Sequence, residues 1–287
     1  MLLNLNSKPK TTPPVSASEQ EQRIRRIADA LPKLSEGQAL WVEDMLMQFA
    51  RPHSFKANPH SDIITQRFLY DFGDTLRVHH CFSKQAFTKD KFEYVFERIA
   101  LLCGLPAKLA TKGNPGFDII VAGQKLSLKT EAHEGINADK IHISKFMELG
   151  KPKWTNDPAD LIGLRQVFLD RVNECDRVFT LRVLSKLPNK WHYELVEIPK
   201  ALLLSAATGQ LEMKTKSKQT GALPGYCYVK DARGHLLFEL YFDGGSERKL
   251  RVQKLLKSSC VVHATWVFST EDVLSDDNQA TGQLSLM

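Results

Sequence analysis

The sequence has few of the features that mark a zinc-binding, membrane-bound or nucleotide-hydrolysing protein. Its five cysteines lie far apart, with no CxxC pair and no Cys/His cluster of zinc spacing, which predicts reduced, partly buried thiols in a cytoplasmic protein. No apolar run approaches the roughly 18 residues of a membrane span, so no membrane association is expected. The GxxxxGK[ST], GxGxxG, HExxH and GxSxG motifs are also absent, which argues against P-loop, dinucleotide-binding, zinc-protease and serine-hydrolase chemistry.

The composition is that of an ordinary globular protein with a mild basic excess. Hydrophobic residues make up 43% of the 287 positions and charged residues 25%, which excludes a disordered or fibrous chain. Lys and Arg number 39 against 33 Asp and Glu, so the formal net charge is +6. Such an excess is compatible with a partner that carries a phosphate backbone, although many basic proteins bind no nucleic acid.

The spacing of apolar residues divides the chain into a helical first part and a mixed second part. Residues 1–17 are expected to form a flexible leader, and residues 18–87 a helical N-terminal region. We predict a catalytic α/β core over 88–204, a loop followed by a C-terminal β region over 205–268, and a polar tail over 269–287. One α/β core with a helical N-terminal region is the simplest architecture.

Local signals place individual elements along the chain. Helices are predicted after Ser18, after the N-cap Ser35, over 61–79, and from the N-cap Thr88 to Gly104. A polar, Lys-rich loop is expected over 205–225. The further predicted helices cover 138–149, 158–170 and 199–204, and the predicted strands cover 109–110, 117–121, 125–131, 177–185, 191–198, 226–229, 236–242 and 261–268.

The clearest chemical signal is a predicted hairpin between residues 113 and 131. A Gly-rich approach from Gly113 to Gly116 leads into the first strand at Asp118. The Ala122-Gly123 pair predicts a two-residue turn between the strands. This turn sets Asp118 opposite Ser127 on the second strand, and directly opposed residues share one face of a sheet.

Alternation along the second strand adds two more polar side chains to that face. Ser127, Lys129 and Glu131 would lie beside Asp118, with the intervening leucines on the opposite face. An acid, a lysine and a second acid on one face suit metal-assisted phosphodiester hydrolysis. Carboxylates bind Mg²⁺, which activates water and neutralises the phosphate, and a lysine can polarise the water and stabilise charge on phosphorus.

The hairpin resembles the core of the PD-(D/E)xK nuclease superfamily, and within it the type II restriction endonucleases. The counterparts of the family motif are Asp118 and Ser127-Leu128-Lys129. The resemblance covers roughly Thr88 to Ile198, with helix, hairpin, helix and two further strands in the expected order. It implies a restriction-endonuclease-like mixed sheet core flanked by helices, a Mg²⁺ cofactor and site-specific double-strand cuts in DNA.

The sequence departs from the family pattern at two positions. Pro115 does not directly precede Asp118, and Ser127 replaces the acid of the (D/E)xK element. Some restriction enzymes are similar in having Ser-x-Lys, and their missing carboxylate comes from elsewhere in the fold. The candidates for that carboxylate here are Glu131, Glu93, Glu97 and Glu148.

The candidate acids differ in how directly the sequence places them beside Asp118. Glu131 ranks first because strand alternation alone brings it to the site, and Glu93 on the preceding helix ranks second. Glu148 is expected on the helix that follows the hairpin. The predicted metal ligands are therefore Asp118, Glu131 and Glu93, although Glu93 could equally be the solvated edge of an amphipathic helix.

A basic segment after Gly244-Gly245 is the second informative stretch. Arginines read guanine edges in a major groove, whereas lysines more often contact phosphates. A solvated basic face after a turn is the alternative interpretation. The predicted DNA-binding residues are Arg248, Lys249, Arg251 and Lys254.

The expected partner is double-stranded DNA. A symmetric duplex site is most simply cut by a two-fold homodimer in which each subunit reads one half-site. A cognate DNA methyltransferase is expected as a genetic neighbour and not as a stable partner. A repair or recombination nuclease of the same superfamily, a non-catalytic DNA-binding module and a chance surface hairpin are the alternatives.

Overall fold

The structure is a computed structural model, in which residues 17–111, 113–114, 116–133, 135–184, 189–216 and 221–270 are described. The predicted leader up to residue 16 and the predicted tail from residue 271 lie outside these ranges. Pro115 and residues 185–188 and 217–220, which belong to predicted turns, a strand end and the Lys-rich loop, lie outside them too.

Most of the helices lie in the first part of the chain, and most of the strands follow them. The helices are α1 (Ala17–Ala30), α2 (Glu36–Ala50), α3 (Gln66–Phe82), α4 (Lys89–Leu102), α5 (Asp160–Asn173) and α6 (Lys200–Leu204). The strands are β1 (His53–Ala57), β2 (Ala107–Leu109), β3 (Ile119–Val121), β4 (Gln124–Glu131), β5 (Lys140–Glu148), β6 (Arg177–Val183), β7 (Lys190–Ile198), β8 (Gln210–Met213), β9 (Gly225–Lys230), β10 (Leu236–Phe242), β11 (Lys249–Leu256) and β12 (Val261–Ser269).

The strands form two sheets. The larger sheet has the order β1-β12-β7-β6-β4-β3-β2, and the smaller has the order β5-β11-β10-β9-β8. The pair β4–β6 is parallel, and the other strand pairs of the described residues are antiparallel. The predicted class, a mixed sheet flanked by helices with a helical N-terminal part, is confirmed.

The larger sheet is buried on both faces, because a separate hydrophobic core lies on each side. One core joins the sheet to α3 and α4 through aromatic side chains such as Phe72, Phe96 and Trp266. The other joins it to α5 and the smaller sheet, with Phe168 and Phe238 among its members. Along β4, Leu126 and Leu128 belong to the first of these cores, which leaves Ser127, Lys129 and Glu131 on the opposite face of the strand.

The capping residues place two helices as predicted. Ser35 accepts a hydrogen bond from Gln38 N and completes a reciprocal capping box at the start of α2. Thr88 occupies the N-cap position of α4, but its side chain makes no capping hydrogen bond. Gly104, with a φ of +79°, follows the end of α4, where a left-handed backbone favours glycine.

The hairpin forms in the predicted register. Val121 pairs with Gln124, and Ile119 pairs with Leu126. Ala122 and Gly123 both have positive φ, at 49° and 83°, as a two-residue turn between antiparallel strands requires. The prediction that this turn fixes the register is confirmed.

Several element predictions are wrong. Residues 138–149 form strand β5 instead of a helix, because Ile141 and Ile143 alternate into the core while β5 pairs with β11. The basic segment after Gly244-Gly245, for which no strand was delimited within the predicted C-terminal β region, contains strand β11, whose Leu250 and Val252 are buried. The predicted loop 205–225 contains strand β8, which pairs with β9.

The N-terminal region is not purely helical. Strand β1 lies between α2 and α3 and pairs with β12 along the edge of the larger sheet. The core sheet thus includes a strand from the predicted region 18–87. Among the described residues, no helix combines the length and apolar character that crossing a bilayer would require.

Candidate active site

Asp118 lies at the end of the hairpin and is held there by backbone and side-chain hydrogen bonds. Its N–H donates to Leu126 O at 2.9 Å. Its Oδ2 accepts from Leu128 N at 2.6 Å and from Ser127 Oγ at 3.2 Å. Lys129 Nζ lies 3.5 Å from the same oxygen. The structure therefore brings Asp118, Ser127 and Lys129 together, as strand alternation predicts.

The first turn of α4 adds a second cation and a second acid. Lys89 Nζ lies 2.8 Å from Asp118 Oδ1 and 2.7 Å from Glu93 Oε1. The side chain of Lys89 is 42% exposed, whereas that of Glu93 is 19% exposed. Sequence reasoning missed Lys89, although its position right after the cap Thr88 and four residues before Glu93 is a usable signal.

The charges of this cluster alter the pKa values of its members. Burial alone would raise the pKa of Asp118, but Lys129 and Lys89 outweigh it and the net shift is downward. Burial lowers the pKa of Lys129, an effect that Asp118 partly offsets. Burial raises the pKa of Glu93 despite its ion pair with Lys89. The cluster thus holds an ionised aspartate beside a desolvated lysine, a combination that is common at functional sites.

The cluster opens into a cavity of about 390 Å³. The cavity lies between the hairpin, α5 and β5, so both sheets contribute to its wall. Cationic groups outnumber carboxylates on the lining, which suits an anionic ligand such as a phosphate. Its charged lining residues are Asp118, Lys129, Lys89, Lys145, Glu148 and Arg171.

Glu131 lies on the predicted strand face but is engaged elsewhere. Its carboxylate forms a buried ion pair with Arg182 Nε and accepts a hydrogen bond from His142 N at 2.9 Å. Arg182 also binds Glu194, its neighbour on β7. Glu131 is 2% exposed, and neither Glu131 nor Glu93 is among the residues that line the cavity. This arrangement speaks against the prediction that Glu131 completes a metal site, because Arg182 already neutralises its charge.

Of the other two candidate acids, one has a structural hydrogen bond and one lines the cavity. Glu97 accepts a hydrogen bond from Leu109 N at 2.8 Å and so ties α4 to β2. Glu148 lines the cavity from β5, although its carboxylate pairs with Lys145 Nζ at 2.6 Å. Across the described ranges, no three His, Cys, Asp or Glu side chains cluster closely enough to hold a metal ion.

The predicted DNA-binding residues lie at the start of and along β11, and each has a partner within the chain. Arg248 donates to Pro152 O at 3.1 Å, and Arg251 forms an ion pair with Asp243. Lys249 Nζ lies 2.5 Å from a Glu247 oxygen, and Lys254 Nζ lies 3.2 Å from a Glu239 oxygen. Lys249 also pairs in register with Glu148, which brings β11 beside the cavity.

Comparison with known proteins gives a family for this chain. The model of the SmaI family, described as type II site-specific deoxyribonuclease, matches residues 27–268. The chain belongs to this SmaI family. The type II restriction enzyme SmaI of Serratia marcescens is 44% identical over 208 residues, which cover 72% of this chain and 82% of that enzyme. No solved structure matches the chain.

Family membership confirms the resemblance that the hairpin suggested. The chain is a type II restriction endonuclease, and therefore a hydrolase that binds and cuts DNA. The matched range begins within α1 and ends in β12, so it includes the hairpin, α4 and both sheets.

Proposed function

We propose that this SmaI-family chain makes Mg²⁺-dependent double-strand cuts with Asp118 and Lys129 at the catalytic centre. The observation that carries the proposal is the convergence of Leu128 N, Ser127 Oγ and Lys129 Nζ on one oxygen of Asp118. This carboxylate lines a cavity rich in cations, where a scissile phosphate could be bound.

The cluster suits Mg²⁺, a hard cation that prefers carboxylate oxygens. The Lys89 ammonium group lies between Asp118 and Glu93, 2.8 and 2.7 Å from their oxygens, and this is the position that we propose for the metal ion. Lys89 is partly exposed, so a metal ion can displace it toward solvent. Asp118 and Glu93 would hold the ion. When bound, Mg²⁺ would act as a Lewis acid toward the phosphate and lower the pKa of a bound water.

The chain's own cations would orient and stabilise the substrate. Lys129 would donate a hydrogen bond to the attacking water or to a phosphate oxygen, because its Nζ faces the cavity beside Asp118. Arg171 on α5 and Lys145 on β5, which both line the cavity, would bind the neighbouring phosphate oxygens. Ser127 would position Asp118 through its hydroxyl and would not be a nucleophile.

The second carboxylate is assigned to Glu93, with Glu148 as the next candidate. Glu93 shares Lys89 with Asp118, whereas Glu131, which strand alternation ranked first, is bound by Arg182. We expect Glu93→Gln to raise the Mg²⁺ concentration for half-maximal cleavage at least about 10-fold, since the loss of even an outer-shell partner of a metal ligand costs about 10- to 100-fold. Mg²⁺ titrations of plasmid cleavage would measure this change.

Glu131→Gln and Ser127→Ala are the matched controls for that titration. Each should shift the half-maximal Mg²⁺ concentration by less than Glu93→Gln does. Circular dichroism would measure the fraction of folded protein, and the cleavage rates would be corrected for it. A large shift for Glu131→Gln with none for Glu93→Gln would restore Glu131 as the ligand. A large shift for Glu148→Gln alone would assign the second carboxylate to β5.

The partners of the proposed reaction follow from the two-fold symmetry of a duplex cleavage site. Double-stranded DNA would be cut by a homodimer, with one active site for each strand. A cognate methyltransferase, encoded nearby, would protect the host's own sites. We propose that the enzyme acts in the cytoplasm, where incoming DNA would be met.

The basic residues at β11 remain proposed DNA contacts. Arg251 stacks on Tyr241, with its guanidinium 5.1 Å from the ring centroid, and could turn from Asp243 toward a base. We expect Arg251→Ala to lose about 1–3 kcal/mol of discrimination between cognate and random duplexes. Lys249→Ala and Lys254→Ala should weaken both duplexes alike and reduce the salt slope by about one unit each.

Arg248→Ala serves as the comparison in that series, because its guanidinium donates to Pro152 O and packs near Trp154. Binding would be measured by fluorescence anisotropy across a salt series. Unchanged affinity and salt slope in all four variants would remove β11 from the DNA interface.

A further inference from the structure

The two N-terminal helices expose an unusually apolar surface. Every side chain described in α1 is exposed, and α2 buries only Gln48. Trp41 is 60% exposed and contacts the exposed ring of Phe82, with centroids 6.5 Å apart. We call this the N-terminal apolar surface, and it consists of Ile24, Ile27, Leu31, Leu40, Trp41, Leu46, Met47, Phe49 and Phe82.

Helix α1 lacks the packing that normally stabilises a helix of its length. Isolated helices of fewer than about 12–15 residues are marginal in water, and α1 has 14 residues. Ile24 and Ile27 of α1 and Leu31, which directly follows the helix, recur at helical spacing, so they form one stripe. A stripe with no buried member among the described residues requires a partner to cover it.

The size of the surface matches a stable protein interface. Each of its nine side chains is about half exposed, which corresponds to roughly 100 Å² per residue for side chains of this size. The total is close to the roughly 800 Å² that each partner buries in a standard interface. Apolar patches of this extent mark interaction sites on soluble domains.

The charge of the helices excludes two kinds of partner. Residues 17–50 contain four Lys and Arg against six Asp and Glu, a formal charge of −2 in a chain whose total is +6. DNA and anionic membranes both attract basic surfaces, so neither suits this one. Helix α1 carries Arg23, Arg25 and Arg26 together with three acids, whereas α2 carries Glu36, Glu43 and Asp44 without a cation.

We propose that the N-terminal apolar surface is the dimer interface, occupied by the same surface of a second copy of this chain. A two-fold axis would bring α1 of one subunit onto α2 of the other, so that the apolar stripe of one subunit covers the exposed apolar side chains of α2 in the other. The three arginines of α1 would then lie near α2, which has acids but no cation of its own. The proposal rests on the two-fold homodimer of the proposed function and names the surface that forms it.

Sedimentation velocity of the full-length chain tests the proposal. Wild type should sediment as a dimer of the 32.5 kDa chain. Trp41→Glu and Ile27→Glu should each raise the dimer dissociation constant at least about 100-fold, since each removes an apolar contact twice per dimer. Ile162→Glu, which alters an equally exposed side chain on α5, should sediment as wild type.

A monomeric wild type, or dimeric Trp41→Glu and Ile27→Glu at wild-type concentrations, would overturn the proposal. The latter result would mean that another segment, such as residues 1–16, covers the surface. Plasmid assays separate this result from failure of the catalytic assignment. Monomeric Trp41→Glu should nick one strand in Mg²⁺, whereas a catalytic variant should sediment as a dimer and cut neither strand.

Discussion

Asp118→Asn should reduce DNA cleavage at least about 1,000-fold, and Lys129→Met should reduce it about 100- to 1,000-fold, while both proteins still bind the duplex. Asp118→Asn removes the charge that would hold the metal ion but keeps an oxygen that can accept from Leu128 N. Lys129→Met removes a charge-stabilising donor at the reacting phosphate, a loss that typically costs about 100- to 1,000-fold per donor. Single-turnover cleavage at saturating enzyme would measure both rates.

Lys125→Met is the matched control for the Lys129 variant. Lys125 lies on the same strand but is exposed, with its Nζ 5.3 Å from the centroid of the Phe117 ring. It does not line the cavity. Cleavage within about threefold of wild type by purified, folded Asp118→Asn would place the catalytic centre elsewhere in the molecule.

Arg182→Met should destabilise the fold by about 3–5 kcal/mol, because it leaves Glu131 and Glu194 buried without their shared cation. Arg182 is 0% exposed and also donates to Asn137 O and Lys140 O, each at 2.8 Å. These carbonyls lie just before and at the start of β5, so the substitution should also loosen the wall of the cavity. Urea unfolding, followed by circular dichroism, would measure the decrease in the free energy of unfolding.

Arg67→Met provides the comparison for the unfolding experiment. Arg67 forms an exposed ion pair with Asp71 at 3.3 Å, and exposed pairs contribute about 1 kcal/mol or less. An Arg182→Met protein that is as stable as Arg67→Met would contradict the account of Glu131 as a structural carboxylate. In that case Glu131 would again be a candidate ligand for the metal ion.

The hairpin could be predicted because its geometry depends on neighbouring residues. The Ala122-Gly123 turn fixes the register, and the register brings Asp118 beside Ser127. Strand alternation correctly placed Glu131 on that face as well. It could not predict the use of its carboxylate, since Arg182 comes from the parallel strand β6, fifty-one positions away along the chain.

The elements that were missed depend on contacts between distant segments. Residues 138–149 include Ile141, Ile143, Phe146 and Met147, which fit a helix about as well as a strand until β11 pairs with them. The basic residues of β11 concealed the alternation of Leu250 and Val252. Lys89 was missed because only the packing of α4 against the hairpin brings it to Asp118.

The most direct test of the central claim is to locate a metal ion by anomalous scattering in a crystal of this SmaI-family protein soaked in Mn²⁺. We expect a peak coordinated by the carboxylates of Asp118 and Glu93, with the ammonium group of Lys89 displaced from between them. A peak bound by Glu131, or one remote from Asp118, would contradict it.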